Sequence, residues 1–500
     1  MLDLATETAA VPKSSPDNGR GAEPSSDRTS NPIAQCSLNL PGRASVSRTK
    51  HEKVTNMLND RYGNRISTTS TSALAHYDQA LLLNRLYRGD PIAALDAALA
   101  EDPGFAMAWA ARAQVLVQQG DRAYLAEAER SIAAGVASGG TEDERRHLAA
   151  AADWARGQIE RGVSRFMAIA RDNPRDMMAL QTAHLGHFYL GRASDLRDGP
   201  LQALRAFGRG DDGYHAVLGM AAFGLEECGD FSRAEALGTE AVSIDPRDAW
   251  ALHAVAHVHE MRGDSDSGMA WLNGNDEAMA AECGFSYHNW WHLALVHLDR
   301  NEHDAALALY DSHIRPDPDG DGLLQWIDAS ALLWRLHIDD VETGERFARL
   351  ADRWQRASND RWYAFNDCHA IMAFIGAGRL DDARSCLASL MRAAHADDDN
   401  ARVARSVGLP VATALIAFAE ERYAEAAEAL IAIRGTAAYF GGSHAQRDIL
   451  SLTALHAAKR GDMTSATQAL VAERRFHKPQ SPWVTRLANE TTGRKFLATV

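Results

Sequence analysis

Turn signals recur along this chain at a regular spacing, and that spacing is the strongest constraint on its fold. Asp102-Pro103, Asn173-Pro174 and Asp245-Pro246 stand 71 and 72 residues apart, which is two units of about 34–36 residues each. Gly229-Asp230 and Gly263-Asp264 lie 34 residues apart. Between the turns, apolar residues recur every three or four positions, which is the period of an amphipathic helix. The spacing therefore predicts stacked pairs of helices.

One unit shows the pattern most clearly. The segment CGDFSRAEALGTEAVSIDP places Gly229, Asp230, Ala234, Ala241 and Pro246 as in the second half of a tetratricopeptide repeat (TPR), which it resembles. Small alanines let two helices approach closely, glycine closes one helix, and proline opens the next unit where its missing N–H costs nothing. Later spacings stretch to about 38–43 residues, so the repeats are degenerate. We predict an all-α, TPR-like α-solenoid of about ten to twelve helix pairs.

Composition divides the chain into three parts. Residues 1–68 are rich in Ser, Pro, Asn, Thr and Gly and show no helical or strand period, which predicts a disordered N-terminal segment. The helical period begins near Ala73 and continues almost to the end. We therefore expect one helical-repeat domain over residues 69–490, followed by a C-terminal tail over residues 491–500.

Charge and cysteine content exclude several classes of function. The chain has 52 Lys and Arg against 67 Asp and Glu, a net charge of −15, which argues against nucleic acid or an anionic membrane as partner. No run of about 18 apolar residues predicts a membrane-spanning helix, and the N-terminus does not have the pattern of a secretory signal. The five cysteines lack CxxC spacing and are expected to be reduced thiols. We expect a cytoplasmic protein, of an oligomeric state that the sequence leaves open.

Polar residues interrupt the apolar pattern in successive repeats. In the predicted helix Trp250–Glu260, His253, His257 and Glu260 share one face because they lie three and four positions apart. His288 and His292 are again four apart, beside Asn289 and the tryptophans of HNWWH. Each pair therefore directs two imidazoles to the same side of a helix.

Two later segments extend this pattern. Asn366 and His369 share a face in WYAFNDCH, and GGSHAQRD opens a helix with a predicted capping box of Ser443 and Gln446. The free N–H groups of that first turn, together with Arg447, would favour an anion. The acid/base candidates are His257, Glu260, His288, His292, Asp367, His369 and His444. The candidates for substrate contact are His253, Asn289, Trp291, Asn366, Gln446, Arg447 and Asp448.

Each segment alone also fits a packing role, because histidines in helices are commonly hydrogen-bonded core or surface residues. Their joint occurrence with Trp, Phe and Ala in successive repeats favours a site with groups that titrate near neutral pH. Cys368 is a weak candidate nucleophile, since it and its neighbour His369 point apart on a helix. No GxSxG, Walker A or GxGxxG segment is present.

The same segments carry a family resemblance. From about Thr69 to Trp483 the chain resembles the tetratricopeptide repeat protein 38 family. The matching text is LAHYDQALLL, DPRDAWALHAVAHVHEMRG, YHNWWHLALVHL, ALYDSHI, DASALLWRL, FNDCHAIMAF, VGLPVATALIAF and GGSHAQRDIL. The resemblance implies the fold and implies that the His-containing segments are family motifs, but it brings no established reaction. His259 departs from the family pattern, in which an apolar residue is expected there.

Two functions from different classes follow. One is an enzyme, hydrolase-like or lyase-like, that binds and transforms a small organic molecule, which could be anionic, by acid/base chemistry. The other is a scaffold that holds a peptide or partner protein in its concave groove. The spacings His257-x-x-Glu260 and His288-x-x-x-His292 also allow two ligands for a divalent metal on one helix face. An enzyme predicts a closed cavity at which these segments converge, whereas a scaffold predicts an open groove.

Overall fold

The Gly-Asp turns set the helix boundaries in the way the repeat requires. Gly229 and Gly263 adopt left-handed backbone conformations, with φ of 79° and 70°, which glycine tolerates without a steric cost. The following aspartates, Asp230 and Asp264, then accept hydrogen bonds from backbone N–H groups in the first turn of the next helix. Each Gly-Asp pair thus ends one helix and caps the next.

The computed structural model describes residues 57–319, 322–357 and 361–497. Within those ranges the regular secondary structure is helical, apart from two isolated β-bridges. In chain order the helices are α1 (Thr71–Leu86), α2 (Pro91–Glu101), α3 (Ala106–Val117), α4 (Leu125–Ser138), α5 (Glu142–Ala155), α6 (Ile159–Asp172), α7 (Met177–Tyr189), α8 (Ala193–Ala203), α9 (Tyr214–Glu227), α10 (Phe231–Ile244), α11 (Ala249–Arg262), α12 (Ser265–Asn273), α13 (Ser286–Asp299), α14 (His303–Leu309), α15 (Leu323–Ile338), α16 (Arg346–Ala357), α17 (Ala364–Gly376), α18 (Leu380–Ala393), α19 (Asp399–Val403), α20 (Leu409–Ala419), α21 (Tyr423–Ala432), α22 (His444–Arg460), α23 (Thr464–His477) and α24 (Pro482–Leu497).

Consecutive helices pack as pairs. In the described residues eleven pairs run from α1–α2 to α17–α18 and continue with α20–α21 and α22–α23. The first helix of a pair packs against the first helix of the next, as α9 does on α11 and α15 does on α17. These first helices are buried over most of their surface, while the second helices bury one face. The all-α solenoid of about ten to twelve helix pairs is confirmed.

Remote repeats also contact one another, so the solenoid closes around an interior. The backbone N–H of Gly284 donates to the carbonyl of Tyr87 at 2.6 Å, joining the region before α13 to the end of α1. The backbone N–H of Glu160 donates to the carboxylate of Asp399 at 2.7 Å, joining α6 to α19. Helix α22 packs against both α11 and α15. Contacts over more than 190 residues of sequence therefore hold the first, middle and last repeats together.

Glycines make the tightest of these closing contacts. Gly191 has a φ of 64°, and a Cβ there would lie 1.7 Å from the carbonyl oxygen of Ala438. A Cβ at Gly441 would lie 2.0 Å from the Tyr363 hydroxyl, which donates to the carbonyl of Phe440 at 3.2 Å. Only glycine fits where the α7–α8 turn meets the segment before α22.

The ends of the domain differ from the sequence prediction. Residues 57–68 pack on the repeats, with Tyr62 and Ile66 buried and Arg61 paired with Asp212 at 2.5 Å. The predicted start at residue 69 is therefore too late, because these two apolar side chains have core partners that the polar segment around them conceals. Residues 1–56 lie outside the described residues. At the other end, helix α24 extends to Leu497, through most of the predicted tail.

One apolar stretch meets the length and composition criteria for a membrane span. It is Asp399–Ala419, and 67% of its most apolar window is buried inside the protein. The sequence prediction of no such segment missed it. Its burial is typical of a core helix in a helical-repeat domain.

Candidate functional site

Two neighbouring helices bring four imidazoles together. Helix α11 carries His253 and His257 on one face, and helix α13 carries His288 and His292 on the face that packs against it. The Nε2 atom of His253 lies 2.9 Å from that of His257 and 3.2 Å from that of His288. One ligand nitrogen from each of the four residues lies within 4.8 Å of the others. We call these four residues the histidine cluster; all four are buried.

Three carboxylates stand behind the histidine cluster. The Nδ1 of His288 donates to Asp328 of α15 at 2.7 Å, and the Nδ1 of His292 donates to Glu260 at 3.0 Å. The Nδ1 of His257 faces Glu226 of α9 at 3.6 Å. Each imidazole in contact with a carboxylate is thereby oriented with its Nε2 directed inward.

Burial keeps imidazoles of this cluster neutral. It lowers the pKa of His253 and of His257 well below the usual 6.5, and the neighbouring histidines lower both further. Burial also lowers the pKa of His292, against the opposing effect of Glu260. Because Nδ1 of His288 and of His292 is the donor to a carboxylate, their Nε2 atoms present lone pairs. The Nε2 of His292 has no hydrogen-bond partner among the described residues.

A second buried polar group connects the cluster to helix α22. Glu226 lies between His257 and His444, with its carboxylate oxygens 3.6 Å and 3.5 Å from their Nδ1 atoms. Burial raises the pKa of Glu226 to about 7. Burial would also raise the pKa of Glu227, but the positive charges of Arg447 and His444 bring it below its ordinary value. The pKa values of these two adjacent buried carboxyl groups are thus shifted in opposite directions.

The anion site predicted at the start of α22 is filled from within the protein. The Ser443–Gln446 capping box is confirmed. The backbone N–H of His444 donates to Glu227 at 2.6 Å, and the Arg447 guanidinium pairs with the same carboxylate at 2.9 Å. The expectation that these groups hold a substrate anion is corrected, because a buried side chain of α9 already satisfies them.

A partly enclosed cavity of about 530 Å³ lies against one side of the histidine cluster. First helices from the beginning, middle and end of the chain supply its wall, as do Gly322 and the turn after α3. His253 and His288 reach the wall, and Asn84, Gln118, Asn366 and Gln446 add polar groups. Its aromatic residues include Tyr87, Phe188, Tyr189, Trp250, Phe285, Tyr287, Tyr363 and Phe365.

The structure brings several of the predicted site residues near one another, some through direct contact and others through the cavity wall or a third residue. His253, His257, Glu260, His288 and His292 form the cluster and its support. Asn366 and Gln446 line the cavity, and His444 reaches His257 only through Glu226. Of the residues predicted to converge on one cavity, His288 lines it, whereas His257, His292 and His444 do not, and Glu260 lines a different cavity.

Other predicted site residues lie elsewhere. The Nδ1 of His369 donates to the carbonyl of Phe365 one turn earlier at 2.8 Å, and His369 does not line the cavity, although Phe365 does. Asp367 lies buried near α18, where the Cys386 thiol donates to its carbonyl. Asp448 makes a two-point ion pair with Arg474, both bonds 2.7 Å, beside a different and smaller cavity. Their predicted placement at a common cavity is corrected.

Two predicted contact residues support the site from behind. The Trp291 ring is fully buried and stacks on His288, with ring centroids 5.3 Å apart. Asn289 donates to the carbonyl of Ala249 at 3.3 Å and ties α13 to the start of α11. Cys368 is fully buried, and burial raises its thiol pKa well above 9, so the thiolate that a nucleophile requires is disfavoured.

Sequence reasoning missed Glu226, Glu227 and Asp328. Each is an acidic residue at a buried position of a mainly apolar helix. A carboxylate in such a helix cannot reach water and must meet a partner in the interior. That signal was present in YHAVLGMAAFGLEE and LLQWIDASALLW, and it would have pointed to buried histidines as the partners.

Comparisons with known proteins concern the fold. No protein-family model matches the chain. The crystal structure of yeast Tom70 is similar over 86% of this chain and 96% of that one, with 13% identity and a TM-score of 0.32. The crystal structure of the P58(IPK) TPR domain is similar over 72% of this chain and 99% of that one, with 11% identity and a TM-score of 0.21. Membership of the tetratricopeptide repeat protein 38 family stays a prediction.

Proposed function

We propose that this protein binds a small organic molecule in this partly enclosed cavity and transforms it by acid/base chemistry. The observation that carries the proposal is the cavity itself. Its volume of about 530 Å³ lies within the range of about 300–1,000 Å³ that is typical of small-molecule sites. Its wall combines aromatic residues such as Tyr87, Trp250 and Phe285 with polar side chains such as Asn366. Such a wall suits an apolar molecule with one or two polar substituents.

His288 is the acid/base candidate of this proposal, because it reaches the cavity wall and Asp328 fixes its orientation. An imidazole held by a buried carboxylate is a common arrangement in general acid/base catalysis. The charged groups on the wall, Arg88 and Asp121, have opposite signs, so the wall does not select an anion. The reaction class that fits is hydrolysis or elimination.

The second candidate function, a protein-interaction scaffold, is favoured by the architecture. TPR-like solenoids present extended surfaces on which other proteins bind. Because contacts such as Gly284 with Tyr87 join remote repeats around the cavity, we expect a protein partner to bind on the outer surface. The two functions therefore use different surfaces and can be separated by mutation.

The test uses a variant in which a larger side chain fills the cavity, and it compares the molecules bound by the variant and by the unmodified protein. Leu324 lines the cavity and is half-buried, so Leu324→Trp should occupy its volume. Leu387→Trp, at a half-buried position on α18 outside the cavity, is the matched control. The protein is incubated with a cell extract, freed of unbound material, and analysed by mass spectrometry for bound small molecules and proteins.

We expect a small molecule to be retained by the unmodified protein and by Leu387→Trp, and to be lost from Leu324→Trp. Retention in both variants, or in neither, would contradict the small-molecule function. A protein partner that binds all three forms equally, with no small molecule in any of them, would support the scaffold instead.

A further inference from the structure

We propose that His253, His257, His288 and His292 bind a divalent first-row transition-metal ion through their Nε2 atoms. The spacing of the nitrogens supports this. Two of the Nε2–Nε2 distances are 2.9 Å and 3.2 Å, and one ligand nitrogen from each residue lies within 4.8 Å of the others. A tetrahedral ion with bonds of about 2.0–2.1 Å needs nitrogens about 3.3 Å apart.

The positions of the protons on the four imidazoles also support a bound cation. His288 and His292 use their Nδ1–H groups on Asp328 and Glu260, so both direct Nε2 lone pairs inward. Whichever tautomers His253 and His257 adopt, the Nε2 of His253 cannot make a full hydrogen bond both to His257 and to the inward lone pair of His288. The Nε2 of His292 has no hydrogen-bond partner among the described side chains. Lone pairs that face one another in a dry interior repel, whereas a cation between them is attracted to all four.

The carboxylates complete the pattern of a metal centre. Histidine ligands in metal sites commonly donate their other ring N–H to a carboxylate, which fixes the ring and increases the basicity of the ligating nitrogen. Asp328 and Glu260 do so here, and Glu226 faces His257. Packing alone would not require a separate buried carboxylate behind each of three adjacent imidazoles.

Four imidazole nitrogens as ligands favour Zn²⁺, Fe²⁺, Co²⁺, Ni²⁺ or Cu²⁺ over Mg²⁺ and Ca²⁺, which prefer oxygen ligands. Because His253 and His288 also reach the cavity wall, the ion would lie beside the space proposed for the organic molecule. Ion binding does not depend on that proposal. With an ion bound, His288 is a ligand and is not the acid/base group, so the ion site replaces that role of His288 and leaves binding of the molecule in the cavity unchanged.

Cobalt is the probe for the test, because its visible absorption reports the coordination of the bound ion. The full-length protein is treated with a chelator, dialysed, and titrated with Co²⁺. We expect one Co²⁺ per chain with the spectrum of a nitrogen-ligated ion, displaced by one equivalent of Zn²⁺ and unaffected by excess Mg²⁺. A folded protein that binds no Co²⁺ at micromolar concentration would overturn the proposal.

Two variants separate the ion site from packing. His288→Asn and His292→Asn keep an amide donor at the Nδ1 position and remove the inward Nε2, so each should abolish stoichiometric Co²⁺ binding. Asp328→Asn keeps an acceptor for His288 and should weaken Co²⁺ binding by about 10–100-fold, as expected for loss of a supporting carboxylate. Circular dichroism and thermal melting establish that each variant is folded.

His297→Gln is the matched control, since His297 lies on α13 but pairs with Glu302 outside the cluster. It should bind Co²⁺ like the parent. Undiminished Co²⁺ binding by both Asn variants would contradict the site. Loss of the small molecule from Leu324→Trp with intact Co²⁺ binding supports the ion site together with binding of the molecule in the cavity. Absence of Co²⁺ binding with retention of the small molecule would contradict only the ion site.

Discussion

His253 and His257 lie one turn apart on α11 with their Nε2 atoms 2.9 Å from each other, in an interior where both side chains are buried. Burial and the neighbouring imidazoles hold the pKa of each well below 6.5. A hydrogen-bonding group buried without full compensation reduces stability. Residues that break the rules of core packing in this way are commonly kept for function.

The first prediction concerns the segment before α1. A chain beginning at residue 57 should melt like the full-length protein, because the composition of residues 1–56 does not favour burial of a core. A chain beginning at residue 69 also loses buried Tyr62 and Ile66 and should be less stable by about 2 kcal/mol or more. Urea unfolding of the three chains provides the measurement. Equal stability of the two shortened chains would show that residues 57–68 do not dock.

The second prediction tests closure of the solenoid. Gly191→Ala places a Cβ 1.7 Å from the carbonyl of Ala438, whereas Gly229→Ala has the same left-handed strain and no atom within 4 Å. Gly191→Ala should therefore cost about 1–3 kcal/mol more than Gly229→Ala, since the difference reports overpacking alone. The comparison uses denaturant midpoints. Equal losses in the two variants would mean that α7–α8 and the segment before α22 do not meet.

The third prediction concerns the loss of stability at low pH. Burial lowers the pKa of His184 and of His456 from 6.5 to about 3. The unfolded chain takes up a proton on each below about pH 6.5 and the folded chain does not, so the free energy of unfolding falls as the pH decreases from about 6.5 toward 3. At about pH 5.5, each of these two histidines should have lowered the free energy of unfolding by about 1 kcal/mol relative to neutral pH.

His184→Leu removes one of these groups at similar volume and should reduce the loss of stability between about pH 7.5 and about pH 5.5. His395→Gln, at an exposed position, should leave that loss unchanged. Urea unfolding at the two pH values measures both variants. A pH dependence of His184→Leu equal to that of the parent would contradict the assignment.

Local geometry explains which parts of the site the sequence could predict. The pairs His253–His257 and His288–His292 are four residues apart, so helix geometry alone places each pair on one face. The repeat then places α11 beside α13, since the first helices of successive pairs pack together. His369 follows the same spacing rule but donates to its own helix at Phe365, and spacing cannot distinguish an inward imidazole from one that bonds to its own backbone.

The spacing of residues along the sequence does not predict the cavity. Tyr87 and Tyr363 lie on the same wall although 276 residues separate them, because the pitch of the solenoid brings their repeats together. That pitch is the sum of small rotations between neighbouring pairs, and degenerate repeats do not fix it from sequence. Glu227 is an example: its carboxylate occupies the anion site at the start of α22, although it lies 217 residues before His444 in the sequence.

The most direct test of the central claim, that the histidine cluster is a binding site and not core packing, is the free energy of unfolding of His253→Gln after removal of all metal ions. A glutamine amide can donate to the facing Nε2 atoms of His257 and His288, so we predict stability equal to or above that of the parent. His147→Gln is the control, because His147 is a buried histidine bonded to Asp176 at 2.9 Å, and it should lose about 1–3 kcal/mol. A loss of that size in His253→Gln would contradict the claim.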